Sequence, residues 1–381
     1  MSDDAHKLLR NLIAIDSVNP SLVPNSRGEK EVAELIASEM RAFGMDVEIA
    51  EVAPGRPNVV GVLEGKQKGK SLMFCGHIDT VSVEGMKNPF DPKIKDGKIY
   101  GRGSQDMKGG IAAMISAARK LAINGKLNFG RVIIAAVVDE EYASIGAEAL
   151  VKNWKADAAV ITEPTDLTIA VGHKGFSWVE IETEGRAAHG SRPLEGRDAI
   201  LRMGRVLAKL ETHNKKLMAK TPHPILGTGS LHASLIEGGR ELSTYPDRCK
   251  LQMERRTISG EPMEIALQEA EEILAELKRE DSEFEASARF LFGRPPYETP
   301  VDHPLPEMLE NSIKCAGHQT KREGMTFWTD AAILGNAGIP SVIFGPGGAG
   351  LHSIEEYVIA DEVIICRDAL YELALNFCQS E

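Results

Sequence analysis

The sequence predicts an α/β protein that carries a smaller, inserted α+β domain. Three observations lead to this prediction. Several short runs of apolar, largely β-branched residues are typical of strands buried on both faces of a parallel sheet. Between residues 176 and 293 the pattern changes to the order β-α-β-β-α-β, which is the split βαβ, or ferredoxin-like, unit. The chain has 381 residues, more than a single core usually supports, so two domains are expected.

Helices and strands are expected to alternate along the larger domain. Apolar residues at helical spacing predict helices over residues 6–15, 28–43 and 111–121. Apolar runs predict strands over residues 47–52, 58–64, 71–75, 131–138, 158–162 and 341–344. Residues 65–70 are predicted to form a solvated turn rather than a phosphate-binding loop, because a strand and not a helix follows them. Residues 88–98 are rich in turn-forming residues.

The inserted domain has its own run of elements. Its strands are predicted over residues 176–184, 230–237, 249–257 and 284–292, and its helices over residues 195–210 and 262–278. The predicted domains are therefore residues 1–175 with 294–381, and residues 176–293. The sequence Arg294-Pro295-Pro296 predicts a rigid connection where the chain returns to the larger domain.

Composition and charge exclude several classes of protein. Hydrophobic residues make up 43% of the chain and charged residues 26%, as in ordinary globular proteins. The net charge of −12 argues against nucleic acid or an anionic membrane as partner. It allows an anionic substrate where bound metal ions dominate the local field. No apolar run approaches the ~20 residues that a membrane span requires.

The cysteines and the N-terminal residues predict a cytoplasmic protein. The five cysteines are scattered and form no Cys-x-x-Cys pair, which favours a reducing compartment without a disulfide framework. Cys75 ends a predicted strand and is expected to be a core residue. The first residues are acidic and lack the apolar stretch of a signal peptide.

The sequence Phe74-Cys75-Gly76-His77-Ile78-Asp79 ends a predicted strand with a histidine and an aspartate two residues apart. Residues at this spacing share a face of a strand. A carboxylate that accepts one N–H of the imidazole would fix its tautomer and leave the other nitrogen for a metal ion. Taken alone, His77 and Asp79 are equally typical of a surface loop.

Other predicted strands end in, or lead into, metal-ligating residue types. The strand 131–138 is followed by Asp139-Glu140-Glu141, and the strand 158–162 by Glu163. The strand 341–344 leads through a glycine-rich turn to His352. Sites in open α/β sheets form at the carboxyl ends of the strands, so these side chains are expected to converge.

Asp106 lies between two glycine clusters, Gly101-Arg102-Gly103 and Gly109-Gly110, which allow close approach of the backbone. A dinucleotide-binding turn is the rival interpretation. It fails because no apolar strand leads directly into these glycines and the G-x-G-x-x-G spacing is missing.

Two histidines and several carboxylates, without cysteine, favour hard or borderline divalent ions. Two ions could bind about 3.5–4 Å apart if one carboxylate bridges them, and together they could polarise a carbonyl and activate water. A carboxylate outside the ligand set could then be the general base. Glu140 and Glu141 point in different directions, so one could bind metal while the other faces the water.

Together the motifs resemble the family of acetylornithine deacetylase, succinyl-diaminopimelate desuccinylase and carboxypeptidase G, which are co-catalytic zinc hydrolases. The resemblance covers the whole chain. The matching segments are residues 76–81, 101–103 with 106–110, 139–141, 162–165, 188–191, and His352 with Glu356-Tyr357. It implies a mixed sheet sandwiched by helices, with the inserted domain as a lid and dimerisation domain of a homodimer.

The resemblance also implies a role for each site residue and two metal ions, zinc or its substitutes cobalt and manganese. Asp106 would bridge the ions, Asp79 would orient His77, and Glu140 would be the general base. His189 would reach across the dimer interface to the oxygen of the scissile carbonyl. The implied metal ligands are His77 and Glu163 for one ion, Glu141 and His352 for the other, and Asp106 for both.

Arg256 matches an arginine that binds a substrate carboxylate in the family, although the neighbouring Arg255 could equally make this contact. Thirteen residues before Arg256, where the family usually has asparagine, this chain has Ser243. Binding of the carbonyl oxygen could pass to Ser243 or Thr244, or be lost.

The expected activity is hydrolysis of the amide bond of an N-acyl amino acid with a free carboxylate. The alternative is a dipeptidase or carboxypeptidase of the same family. A non-catalytic binding protein is disfavoured because both Glu140 and Asp106 are present. Outside the site, Asp330 is expected to be a helix N-cap. Ordinary surface or hydrogen-bonded roles are expected for His173, His232 and His303.

Overall fold

The computed structural model describes residues 3–379, which form two compact units. The larger unit comprises the residues up to Val171, Thr299–Glu323 and the residues from Thr329 onward. The smaller unit comprises Gly172–Glu298 and Gly324–Trp328. The predicted insertion, 176–293, lies within the smaller unit, and the separate segment Gly324–Trp328 had no counterpart in the prediction. Met1 and Ser2, which belong to the segment predicted to lack a signal peptide, lie outside the described residues.

The first 173 residues provide most of the sheet of the larger unit. The helices are α1 (Asp4–Ile13), α2 (Lys30–Ala42), α3 (Gly109–Asn124) and α4 (Ile145–Asn153). The strands are β1 (Asp46–Ala53), β2 (Arg56–Glu64), β3 (Gln67–His77), β4 (Lys93–Lys95), β5 (Lys98–Tyr100), β6 (Phe129–Val137), β7 (Ala158–Ile161) and β8 (Ile169–His173). The short irregular helical segment Ser104–Lys108 precedes α3.

The smaller unit and the C-terminal part complete the chain. The smaller unit contains β9 (Gly175–Glu184), α5 (Ala199–Met218), β10 (Ser230–Gly238), β11 (Arg248–Thr257), α6 (Ile265–Glu280), β12 (Glu285–Arg294) and β13 (Tyr297–Glu298). The elements that follow are α7 (Leu305–Cys315), β14 (Arg322–Met325), α8 (Ala331–Asn336), β15 (Ser341–Ile343), β16 (Gly348–Ala349), β17 (Tyr357–Ile359) and α9 (Ala360–Phe377).

The sheet of the larger unit is mixed, with the order β1-β2-β6-β3-β7-β15-β8. The central strands β6, β3, β7 and β15 run parallel to one another, whereas β2 is antiparallel to β1 and β6, and β8 is antiparallel to β15. Alternate residues of β3 point to opposite faces: Leu72 and Phe74 belong to the main core with α1, α3 and α9, and Met73 and Cys75 are equally buried on the other side. Both faces are therefore covered, and the predicted fold class is confirmed.

One local prediction was wrong and another was incomplete. Strand β3 already begins at Gln67, which pairs with Phe129 of β6, so most of the predicted turn 65–70 belongs to a strand. The turn-rich stretch 88–98 contains β4, which belongs to a second small sheet of order β16-β17-β5-β4. The residues concerned, 67–70 at the start of β3 and 93–95 in β4, are rich in lysine and almost all exposed, so no apolar pattern marks them as strand.

The smaller unit has the predicted order β-α-β-β-α-β. Its antiparallel sheet has the strand order β10-β11-β9-β12, and α5 and α6 contribute to the core on one face. Along β11, Cys249, Leu251 and Met253 face this core. The alternate residues, Lys250 among them, are partly exposed on the opposite face. Among the described residues of both units, none of the helices combines the length and apolar character needed to cross a membrane.

Gly110, in the first turn of α3, allows the helix to approach the segment that follows β7. A Cβ atom at this position would lie 1.9 Å from the main-chain oxygen of Thr162. We expect Gly110→Ala to lower the free energy of unfolding by about 1–3 kcal/mol, because the backbone must move to relieve the overlap. The midpoint of thermal or urea unfolding measures this loss.

Gly204→Ala is the matched control, because a Cβ there meets no atom within 4 Å in the interior of α5. Alanine should raise stability at this position by about 1 kcal/mol through its helix propensity. Equal midpoints for the two variants would contradict the close packing of α3 at Gly110.

Candidate metal centre

The candidate ligands lie at one edge of the larger unit's sheet because neighbouring parallel strands end there. His77 is the last residue of β3, and β6 and β7 flank this strand on either side. Glu141 follows β6, and Glu163 follows β7 by two residues. Two further residues, Asp106 before α3 and His352 between β16 and β17, reach the same cluster from loops.

The first group of ligand atoms belongs to His77, Asp106 and Glu163. The His77 Nε2 atom lies 3.0 Å from Asp106 Oδ1 and 3.8 Å from Glu163 Oε1. His77 is 1% exposed and Glu163 is 4% exposed. Their ligand atoms all lie within 4.8 Å of one another, as the donors around one ion must.

The second group consists of Asp106, Glu141 and His352. The His352 Nε2 atom lies 3.3 Å from Asp106 Oδ2 and 3.1 Å from Glu141 Oε2. The two oxygens of Asp106 thus face two different histidines, Oδ1 toward His77 and Oδ2 toward His352. This is the arrangement expected of a carboxylate that bridges two ions.

Several observations test whether the donors fit a pair of divalent ions. Glu141 Oε1 is buried and lacks a hydrogen-bond partner, so a ligand interaction would satisfy it. Burial raises the pKa of Glu141 to about 7, and the Asp106 carboxylate contributes to this rise. Burial also raises the pKa of Glu163 well above its usual value. A cluster that accumulates this much unfavourable negative charge fits cations, and its oxygen and imidazole donors suit zinc-like ions.

The same carboxylates raise the pKa of both histidines of the cluster. Hydrogen bonds to Asp106 and Glu141 raise the pKa of His352 to about 10. Burial lowers the pKa of His77, but the Glu163 and Asp106 carboxylates outweigh this effect and raise it well above the usual value. Protons on the imidazoles therefore compensate the carboxylates wherever cations are missing, so protons and metal ions compete for these nitrogens.

Asp79 orients His77 in a different way from the predicted one. His77 Nδ1 hydrogen-bonds to the main-chain oxygen of Asp79 at 3.0 Å, whereas the nearest carboxylate oxygen of Asp79 is 3.6 Å away. The carboxylate accepts hydrogen bonds from the backbone N–H groups of Glu140 and Glu141, each at 3.2 Å. Asp79 therefore fixes His77 through its backbone and the Glu140-Glu141 segment through its side chain.

A buried polar network behind Asp79 was not predicted from the sequence. Asn19 Nδ2 donates to Asp79 Oδ2 at 2.8 Å and to Asp139 Oδ1 at 3.1 Å. Asp139 pairs with Arg56 at 2.7 Å, and Arg56 also pairs with buried Glu29. The network connects the loop after α1 to the ends of β3 and β6. Its members are far apart in the chain, so no local spacing could have revealed it.

Glu140 belongs to neither ligand group among the described residues. Its backbone is fixed by Asp79, and its side chain lies in the same carboxylate-rich region. Burial raises its pKa well above the usual value, and the Glu163 carboxylate adds to this effect. A carboxylate with a raised pKa beside, but outside, a candidate metal cluster is suited to act as a general base and then as a general acid.

The remaining candidates lie in the smaller unit. His189 is exposed, and Ser191 N–H donates to its Nδ1 atom at 3.2 Å. The neutral ring therefore carries its proton on Nε2. Gly190 N–H donates to the Ser243 main-chain oxygen at 2.7 Å, so the His189 and Ser243 loops contact each other. The Thr244 hydroxyl donates to Glu241 at 2.6 Å.

The structure separates the two neighbouring arginines on β11. Arg255 lies on the helix-covered face, fully buried, where its guanidinium pairs with Glu269 and Glu261. It is therefore a structural residue, and the alternative that it contacts substrate is wrong. Arg256 lies on the opposite, open face with 32% of its side chain exposed, next to Glu254 and over the Phe176 ring.

Four further residues were expected to lie outside the site, three histidines in ordinary roles and Asp330 as a helix N-cap. His303 and exposed His232 are ordinary, and His303 Nδ1 accepts a hydrogen bond from Leu305 N–H. His173 is fully buried and has the expected hydrogen-bonded role, because its Nδ1 atom hydrogen-bonds to the Lys174 main-chain oxygen. Asp330 occupies the position before α8, but its buried side chain makes no capping hydrogen bond.

Comparison with known sequences finds relatives along nearly the whole chain. An acetylornithine deacetylase of Myxococcus xanthus is 29% identical over 383 residues, which cover 97% of this chain and 96% of the relative. The N-formyl-4-amino-5-aminomethyl-2-methylpyrimidine deformylase of Bacillus subtilis is 30% identical over 398 residues, covering 93% of this chain and 91% of the relative.

Solved structures share the fold at lower sequence identity. The aminopeptidase PepT of Bacillus cereus superposes with a TM-score of 0.83 at 20% identity, covering 99% of this chain and 98% of the other. The YXEP protein of Bacillus subtilis, described as a dinuclear metal binding peptidase, gives a TM-score of 0.76 at 17% identity, with coverages of 99% and 98%.

A family assignment follows from the sequence match. Residues 73–376 match the family described as Peptidase family M20/M25/M40, and this segment contains every residue of the metal cluster. The chain is thus a hydrolase that acts on amide bonds, and it belongs to peptidase family M20/M25/M40.

Proposed function

We propose that this protein hydrolyses the amide bond of an N-acyl amino acid with the help of two divalent ions, and that these ions are zinc. The observation that carries the proposal is the pair of ligand groups that share Asp106, with Glu140 beside them and outside both. The deacetylase and the deformylase among its relatives are both named for removing a short acyl group, which supports this substrate class.

Five side chains would hold the two ions. His77 and Glu163 would bind one ion, Glu141 and His352 the other, and Asp106 both. The ions would supply Lewis-acid polarisation of the scissile carbonyl and a water molecule of lowered pKa. The chain's own residues do the rest: they orient the substrate, move the proton and stabilise the developing oxyanion.

Glu140 is assigned the proton transfer. Its carboxylate would accept a proton from the attacking water and then donate it to the nitrogen of the leaving amine. The raised pKa supports this role, because burial and the neighbouring Glu163 carboxylate make Glu140 a better base than a solvated glutamate. The hydrogen bond from Glu140 N–H to Asp79 holds the residue in place.

Two residues of the smaller unit are assigned to substrate binding. The guanidinium of Arg256 pairs with Glu254 through Nε, is 32% exposed, and would bind the substrate carboxylate. His189 presents Nε2–H and is exposed, as required of a donor to the oxyanion. Ser243 lies beside His189 through its main-chain oxygen, so it is a candidate for a further contact with substrate.

A homodimer through the smaller unit is part of the proposal. Strand β10 is an edge of its sheet and carries Leu235 and Ile236, which are 66% and 57% exposed. An exposed apolar edge strand is a surface that a second copy can cover by continuing the sheet. Leu201 of α5, 72% exposed, adds to the apolar surface of this unit. A cytoplasmic location is supported by the five free cysteines.

The alternative is a dipeptidase or carboxypeptidase, which the fold shared with PepT supports. Both activities use the same metal cluster and base. They differ in what flanks the scissile bond: a short acyl group for the first activity, an amino acid with a free amine for the second.

Glu140→Gln should lower kcat by about 10²–10⁴-fold, because glutamine cannot accept the proton of the attacking water. Zinc content should stay unchanged, since Glu140 lies in neither ligand group. Steady-state kinetics and metal analysis of the same preparation measure the two quantities. Activity equal to that of the unsubstituted enzyme would exclude Glu140 as the base.

A substrate panel on the zinc form separates the two activities. The panel comprises acetylornithine, succinyl-diaminopimelate, other N-acetyl and N-formyl amino acids, and dipeptides. We expect the highest kcat/KM for an N-acyl amino acid, and about 10–100-fold less for its carboxamide, because the charged contact with Arg256 is lost. Higher values for the dipeptides would establish the alternative.

Arg256→Met tests the origin of this preference. The variant should reduce kcat/KM for the acid and leave the value for the carboxamide nearly unchanged. Arg248→Met, at the other end of the same strand and paired with Glu182, is the matched control and should leave both values unchanged. Retention of the full preference by Arg256→Met would show that another group binds the carboxylate.

Ile236→Lys should weaken the dimer, because a charge replaces an apolar side chain on the edge strand. Sedimentation velocity over a range of concentrations measures the association, and kcat/KM should fall together with the dimer fraction. Ile123→Lys, an apolar residue of α3 that is 73% exposed, is the control and should change neither. An unsubstituted enzyme that is monomeric and fully active would contradict the dimer.

A further inference from the structure

A buried ion pair between Arg102 and Glu356 lies beside the metal cluster and has no role in the proposed chemistry. Arg102 Nη1 lies 2.7 Å from Glu356 Oε2, and the two side chains are 3% and 0% exposed. A charge pair this deep in the protein requires full hydrogen bonding to offset its loss of solvation. The hydrogen-bond partners of the pair therefore indicate what it holds together.

Glu356 binds the backbone that carries Asp106. Its Oε2 atom accepts from Gly103 N–H at 3.0 Å, and its Oε1 atom accepts from the N–H groups of Gln105 and Asp106 at 2.9 and 3.1 Å. One carboxylate therefore satisfies three backbone donors within four residues, at an irregular segment that lacks the hydrogen bonds of a regular helix. The position of the bridging aspartate depends on this contact.

Arg102 connects Glu356, and with it the backbone of Asp106, to two other segments that carry candidate ligands. Its Nη2 atom donates to the main-chain oxygens of Ser82 and Ser353, each at 2.9 Å. Ser353 is adjacent to His352, and Ser82 lies in the loop that follows His77 and Asp79. The pair thus joins the segments that carry His77, Asp106 and His352.

We propose that the Arg102–Glu356 pair is a positioning device for the metal centre, an inference that rests on the proposed dinuclear function. It holds the Asp106 carboxylate midway between the two histidines, where its oxygens lie 3.0 Å from His77 Nε2 and 3.3 Å from His352 Nε2. A small shift of the Asp106 backbone would move one oxygen away from its ion. The pair therefore sets the ability of the site to hold both ions at once.

The test is the metal affinity of Glu356→Gln, measured on the full chain by calorimetric titration of the metal-free protein with Zn²⁺. Glutamine keeps the size of the side chain but directs an NH₂ group at backbone N–H donors. We expect at least one of the two binding steps to weaken by about 10–100-fold, the usual effect of losing a group that orients a ligand. The absorption spectrum of the protein loaded with two Co²⁺ ions should change as well.

Glu269→Gln is the matched control. Glu269 is also a buried glutamate paired with a buried arginine, Arg255, but it lies in the smaller unit. This variant should lose stability to a comparable degree and keep both zinc affinities and the cobalt spectrum. Weakened metal binding in both variants would show that loss of stability alone is responsible, and would overturn the inference.

Arg102→Lys keeps the proposal testable if Glu356→Gln does not fold. Lysine retains the charge but cannot reach Glu356, Ser82 and Ser353 together, so metal binding should weaken in the same direction. Unchanged zinc affinities and an unchanged cobalt spectrum in a folded variant of either residue would overturn the inference. An unsubstituted protein that binds fewer than two ions would instead refute the proposed dinuclear function.

Discussion

The constraint on which the site depends is electrostatic: carboxylates gathered at the end of a buried sheet repel one another and are poorly solvated. Burial raises the pKa of Glu140, Glu141 and Glu163, and the charge of at least one neighbouring carboxylate raises each pKa further. Two imidazoles offset part of this charge, but both are also candidate ligands. Divalent cations are the simplest partners for such a cluster. Their binding would compensate the negative charge of the carboxylates, so metal affinity and charge balance are coupled.

The fold meets this constraint with parallel strands that end together and with fixed backbone between them. Asp79 holds the Glu140-Glu141 segment from one side, and Glu356 holds Asp106 from the other. Both are buried acceptors that satisfy several nearby N–H groups of irregular backbone, so the candidate ligands have fixed positions without regular secondary structure. Positions fixed in advance lower the entropy that must be lost when metal or substrate binds.

The sequence predicts much of this architecture because strand ends are visible in it. The apolar runs before His77, Glu141 and Glu163 predict their convergence. The alternation along β11 also contains the difference between Arg255 and Arg256, although both arginines were left as candidates and the structure was needed to separate them. Arg255 has the same two-residue alternation as Cys249, Leu251 and Met253, which are buried residues of that strand. The exposed strand β4 and the start of β3 lack such a pattern and were missed.

Other features required the structure because they depend on contacts between distant residues. Asp106 follows no strand, and its place among the candidates rested on the glycine clusters and on the family resemblance. Asn19, Arg56 and Asp139 meet only after the fold forms, and their spacing carries no periodic signal. The contact between His77 and the Asp79 main chain, rather than its carboxylate, depends on backbone geometry that residue identities do not specify.

The most direct test of the central claim is anomalous diffraction at the zinc edge from crystals of the zinc-loaded protein. The account predicts two peaks about 3.5–4 Å apart, one beside His77 and Glu163 and the other beside Glu141 and His352, with Asp106 between them. A single peak, or two peaks that Asp106 does not join, would contradict it.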